Sequence, residues 1–151
     1  MGIEKDIHQN NFRNTKQKAI VNLLFTYGWL VEKIKNILSE YHITHQQFNI
    51  LRILRGAAPH PLSTLQIRER MLDKMSDTSR IVDRMVTKDL VRKEISEKDK
   101  RLVDVTITEK GQSILKDLDA SSNSIDDVVH HLSDKEAEML SMLLDKLRQG
   151  E

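Results

Sequence analysis

The chain has 151 residues, of which 38% are hydrophobic, 31% charged and 4% aromatic, with a formal net charge of +1. This is a helix-rich, single-domain profile whose lean core favours burial against a second copy. The absence of cysteine excludes disulfides, thiolate metal sites and thiol redox sensing.

No apolar run approaches the roughly 20 residues that span a bilayer. The start, MGIEKDIHQNN, lacks the apolar centre of a signal peptide, and Asp6 breaks a myristoylation pattern. A cytoplasmic protein with no membrane partner is expected. Its charge is dipolar: Arg and Lys outnumber Asp and Glu from 78 to 101, whereas acids dominate from Asp117 onwards. One-sided charge of this kind suits a face turned towards phosphate.

Residues 1 to about 12 are polar. From Ala19, steps of three and four run through Ile20, Leu23, Leu24, Tyr27, Leu30, Val31, Ile34, Ile37, Leu38 and Tyr41, which predicts one long helix with a broad apolar stripe. Thr44-x-x-Gln47 is a capping box that opens a second helix carrying Phe48, Leu51 and Leu54. Gly56 to Pro61 closes it. Ser63-x-x-Gln66 is another capping box, for a third helix reaching about Leu72. A fourth begins near Ser76 and buries Ile81 or Val82 with Met85. Two short helices joined by a brief turn form a helix-turn-helix.

After Lys88-Asp89 the period changes to alternation: Val91, Lys93 and Ile95, then Val103, Val105 and Ile107, with the polar tip Ser96-Glu-Lys-Asp-Lys-Arg101 between them. This predicts a β-hairpin, or wing. Thr108 caps a fifth helix expected to carry Ile114, Leu115, Leu118, Ile125, Val128, Val129 and Leu132. Ser133-x-x-Glu136 opens a last helix with Leu140, Leu143, Leu144 and Leu147. The long apolar stripes at both ends have no visible partner within the chain, so they are expected to pack across a two-fold axis, with Ile20, Leu24, Leu132, Leu140, Leu144 and Leu147 at the interface.

The fold class is therefore mainly α with a small β-wing, a winged helix-turn-helix flanked by N- and C-terminal dimerisation helices. Four ordered patterns sharpen it: Arg80-Ile-Val-Asp83-Arg84, Leu90-Val91, Asp99-Lys100-Arg101, and Val105-Thr-Ile-Thr-Glu-Lys-Gly111. At this spacing, and over nearly the whole chain, the sequence resembles the MarR family of bacterial transcription regulators. The resemblance implies a single domain over 1–151, with a winged-helix lobe at about 43–107 and a dimerisation region at about 4–41 and 108–149. It departs from the family at Asp89 and Leu72, where glycine is usual or frequent, at Arg68, where a small residue is common, and at Asp77, an acid beside the DNA-facing helix.

Double-stranded DNA and a second copy of the chain are the implied partners. Ser76, Asp77, Ser79 and Arg80 fall where side chains reach base edges, and an arginine there can grip guanine with two hydrogen bonds. Arg84, one turn on, suits phosphate or support of the wing. Ser63, Thr64 and Gln66 begin the preceding helix, where N–H groups and hydroxyls favour phosphate. Arg101 is expected in the minor groove, with Asp99 orienting it and Lys98 and Lys100 adding salt-sensitive attachment. Composition alone favours an ordinary solvated face for Arg80 and Arg84; the wing pattern and the resemblance reverse that balance.

The family commonly binds small aromatic or anionic ligands between its two lobes, and Tyr27, Trp29, Tyr41, His42 and Phe48 are the candidates for such a crevice, with plain core packing as the alternative for each. A metal-responsive variant would use His42 and His45; His130 and His131, being adjacent, are a poor chelate. No Gly-rich phosphate loop, nucleophile elbow or HExxH points to an enzyme, and no cofactor is expected. A winged-helix protein-interaction module without DNA binding is the remaining alternative.

Overall fold

The computed structural model describes residues 2–121 and 124–149. A short α1 (Ile3–Asp6) folds back on α2 (Thr15–Ser39), where Glu4 pairs with Lys18 and Ile3 is buried. Asn14 caps α2, its side chain accepting the Gln17 N–H at 2.8 Å. Only Leu38 is buried along the 25 residues of α2. Tyr41, expected on the same stripe, lies beyond the helix end, and His42 turns the chain with φ of 55°.

The winged-helix lobe follows. α3 (His45–Ala57) opens on the Thr44/Gln47 capping box and buries Ile50, Leu51 and Leu54. α4 (Thr64–Arg70) opens on the Ser63/Gln66 box and buries Ile67. α4 stops two residues short of the expected Leu72. Met71 turns extended and buries itself, while the Leu72 N–H donates to the buried Asn49 Oδ1 at 2.9 Å, outside the helix. α5 (Thr78–Thr87) begins after Ser76, with Asp77 as its N-cap, and buries Thr78, Val82 and Met85 at helical spacing. Burying Met85 and Val82 contributes roughly 1.5–3 kcal/mol each.

β1 (Val91–Ile95) and β2 (Val103–Ile107) pair antiparallel, Val91 opposite Ile107 and Ile95 opposite Val103. Alternation holds only at the base of this hairpin. Val91 and Val105 are buried, but Lys93 and Ile95 project past the core. Leu62 adds a bridge to Val105, anchoring the loop before α4 to the wing.

The junction where α5 ends is densely bonded. Asp89 takes φ of 58°, so an aspartate fills a left-handed position that usually favours glycine. Its carbonyl accepts the Thr108 hydroxyl at 2.6 Å, and Lys110 Nζ donates to the Lys88 carbonyl at 2.9 Å. Lys88 Nζ donates to the His42 carbonyl at 2.6 Å, joining the end of α5 to the turn after α2. α6 (Glu109–Ala120), capped by Thr108, crosses here through Gly111. A Cβ at that glycine would lie 2.6 Å from the Leu90 carbonyl oxygen.

α6 is shorter than predicted. It ends at Ala120, with Ser121 extended, and Ile125, Val128, Val129 and Leu132 do not continue its stripe. Side chains that bond nearby backbone compete with a continued helix from Ser124 onwards. Ser124 and Asp127 cap each other reciprocally, and a 3₁₀ turn forms at Asp126–Val129. α7 (Asp134–Arg148) opens on the Ser133/Glu136 box and has no buried residue among those described. Leu24 is 66% exposed and Leu147 59%; Ile20 and Leu140 are also exposed, Leu132 marginally so, and Leu144 is half-buried. No helix among the described residues is long and apolar enough to cross a membrane.

Candidate nucleic-acid interface

The outer face of α5 follows from its inner one. With Thr78, Val82 and Met85 inward, Ser79, Arg80, Asp83 and Arg84 must point outward, and all four are exposed. The Asp77 carboxylate accepts the Arg80 N–H at 3.3 Å. An acid that looks unfavourable next to DNA thus satisfies an otherwise unpaired N–H and complements the positive end of the helix. Ser76 lies in the turn before the helix, not in its first turn. Among the described residues, Arg80 and Arg84 make no side-chain hydrogen bond or ion pair, whereas Asp83 pairs with Lys93 of β1 at 2.8 Å. That pair ties the recognition helix to the wing within the domain.

At α4, the Ser63 hydroxyl accepts the Gln66 N–H and the Gln66 amide oxygen accepts the Ser63 N–H. Both side chains are engaged in the cap, which leaves Thr64 as the freer of the three predicted contacts. Arg68 is exposed and lines the cleft between α4 and α5, so a large residue there does not prevent the helices from packing.

The wing tip is built around one carboxylate. Asp99 accepts from Arg101 three times: from its backbone N–H at 3.1 Å, from Nε at 3.0 Å and from Nη2 at 3.0 Å. This is a bidentate fork. The Arg101 side chain is nevertheless 88% exposed, so the carboxylate orients the guanidinium without covering it. Hydrogen bonding to Arg101, first from its side chain and then its backbone, holds the Asp99 carboxyl below its ordinary range, and Asp99 raises Arg101 in turn. Lys98 and Lys100 flank the pair, both exposed.

The aromatic candidates do not form one group. Trp29 and Tyr41 line a crevice of about 600 Å³ between α2 and the 3₁₀ turn, with Lys33, Glu40, Asp127, His130 and His131 among its walls. Phe48 lines a separate cleft beside Arg52 and Arg55. Tyr27 is exposed elsewhere on α2, and His42 contributes its carbonyl to Lys88. Tyr27 stands two residues from Trp29 and so about 200° around α2, whereas His42 and Phe48 come after the helix has ended, so the three do not line the crevice at Trp29. Among the described residues no three His, Asp or Glu side chains gather into a metal-binding cluster.

Leu65 and Met75 were not predicted at this surface, nor was the buried Asn49 predicted beneath it. Their signal was weak: two apolar residues out of phase with the buried stripes, and one asparagine within an apolar helix.

Comparison with known proteins agrees with this geometry. The model of the MarR family matches residues 43–103, the lobe from the end of the α2–α3 turn to the wing. The HTH-type transcriptional regulator MgrA of Staphylococcus aureus is 31% identical over 111 residues, 74% of each chain. The chain belongs to the MarR family. As a MarR-family protein it is a DNA-binding transcription regulator, not an enzyme. The regulator MhqR of Bacillus subtilis (strain 168) is 25% identical over 86% of this chain and 89% of its own. A MarR transcription factor from Planctomyces limnophilus superposes with a TM-score of 0.68 at 30% identity, covering 89% of this chain and 98% of that one. The MarR frame also gives the Asp99–Arg101 fork and the left-handed Asp89 their context, as the wing tip and the helix-to-wing turn.

Proposed function

We propose that this MarR-family chain is a ligand-responsive repressor that binds a pseudo-palindromic operator as a homodimer. α5 enters the major groove of each half-site, with Arg80 at base edges and Arg84 on phosphate. Arg101 of the wing enters the adjacent minor groove, where a narrow A·T-rich segment concentrates negative potential. The N-terminus of α4, with Thr64 foremost, docks on phosphate. The observation that carries this reading is the bidentate Asp99–Arg101 fork: a guanidinium held in one orientation yet 88% exposed.

The dimer is supported by α2 and α7, whose apolar residues stand in solvent in the single chain. A helix with no buried residue, as α7 is here, draws little stability from its own fold. Ligand response is supported by the crevice at Trp29 and Tyr41, whose volume suits a small molecule and whose Lys33, His130 and His131 suit an aromatic anion. The experiment is selection of duplexes from a random pool by the purified protein at moderate salt. An enriched palindrome, bound more weakly by Arg101→Ala at unchanged dimer mass, supports the reading. Undiminished binding by that variant removes the wing from it, and failure to enrich any sequence favours a protein-interaction module.

A further inference from the structure

Leu65 and Met75 are 60% and 92% exposed, and they line one open notch between α4 and the start of α5, with Thr64, Arg68 and Ser79. Neither contributes to the core. Met75 nonetheless sits on a fixed turn. Its N–H donates to Asp73 Oδ1 at 3.0 Å, the Ser76 N–H to the Asp73 carbonyl at 3.3 Å, and the Leu72 N–H to the buried Asn49 at 2.9 Å. Two large apolar side chains are thus held in water beside the helix end that faces DNA.

We propose that this notch reads the C5 methyl group of a thymine in the major groove, an inference that rests on the DNA reading above. In that groove thymine alone among the unmodified bases presents an apolar group at its edge, and aliphatic side chains recognise it by contact. Methionine suits the task because its thioether adapts to an irregular surface. Ser79 at the same notch can hydrogen-bond the neighbouring base edge, and Arg68 on its wall offsets the Asp77 carboxylate that also lines it. The polar residues of α5 give specificity through hydrogen bonds; Leu65 and Met75 add discrimination against cytosine and uracil.

The test uses the full chain and the duplexes it enriches from a random pool, resynthesised with deoxyuridine in place of one thymidine at a time. Deoxyuridine keeps every hydrogen-bonding atom and removes only the methyl. Fluorescence anisotropy should show one position per half-site at which the wild type loses roughly fourfold in affinity, the worth of one buried methyl. Leu65→Ser/Met75→Ser should bind the thymidine duplex more weakly and show no further loss with deoxyuridine at that position. A wild type indifferent to deoxyuridine at every thymine overturns the inference, as does a double variant that keeps the penalty. Failure of the underlying DNA reading looks different: the wild type enriches no duplex at all.

Discussion

Replacing Gly111 with alanine tests the junction that sets α6 against the recognition helix. The new Cβ would stand 2.6 Å from the Leu90 carbonyl oxygen, 2.8 Å from Ile107 Cγ1 and 3.0 Å from Leu51 Cδ2. The two side-chain contacts can yield by small rotations, but the carbonyl cannot. Leu90 O already accepts the Thr108 N–H at 3.1 Å, and it lies on the buried turn between α5 and β1. Overpacking of this kind costs about 1–3 kcal/mol, and the rigid backbone contact argues for the upper half of that range. Alanine returns up to about 1 kcal/mol of helix propensity. The net expectation is a loss of about 1–2 kcal/mol, or roughly 2–8 °C in Tm for a chain of this size. Gly56→Ala is the control: beyond its chain neighbours and its own helix backbone nothing lies within 4 Å of its Cβ position, so it should hold or gain stability. Calorimetry on both variants decides the matter. A Gly111→Ala protein as stable as the wild type would refute the close approach of α6 to this turn.

Three further outcomes are expected. Asp89→Gly should match or exceed wild-type stability, whereas Asp89→Val should lose roughly 1–2 kcal/mol in urea denaturation, because φ of 58° penalises a β-branched residue. The Asp99 carboxyl should titrate below the usual aspartate range by carbon-detected NMR and return to it in Arg101→Met; because its folded pKa is lowered, the fork is intact above the ordinary aspartate pKa and is lost as pH falls through the lowered value. A normal titration in the wild type would mean that the fork is not populated. Leu140→Asp/Leu144→Asp should shift the protein to monomer by sedimentation, and an unchanged dimer would exclude α7 from the interface.

Features that depend on near neighbours were legible in the sequence. Capping boxes at Thr44, Ser63 and Ser133 appear where their spacing placed them, since each needs only a hydroxyl and a partner three residues on. The same holds for Asp99 and Arg101, two residues apart. Asp77 reads in the sequence both as a residue near base edges and as an ill-fitting acid; its capping role became visible once α5 was seen to begin at Thr78, one residue later. Long-range packing hid the rest. The apolar residues from Ile125 to Leu132 follow Leu118 at helical spacing, yet the reciprocal Ser124–Asp127 cap starts a new turn there. The aromatic crevice was half legible for a similar reason. Trp29, Lys33, Ile37 and Tyr41 recur every four residues along one wall, but no periodicity within α2 reports that the 3₁₀ turn at Asp126–Val129 forms the other.

Two wings related by a two-fold axis are expected to reach into the minor groove. The chain has no cysteine, so Lys100→Cys provides one attachment point per chain for an iron–EDTA group beside Arg101. On a duplex enriched by the wild type, strand breaks should cluster at two minor-groove positions placed symmetrically about the centre of the palindrome. Breaks at a single position, or none while the modified protein remains bound, would rule out this placement of the wings.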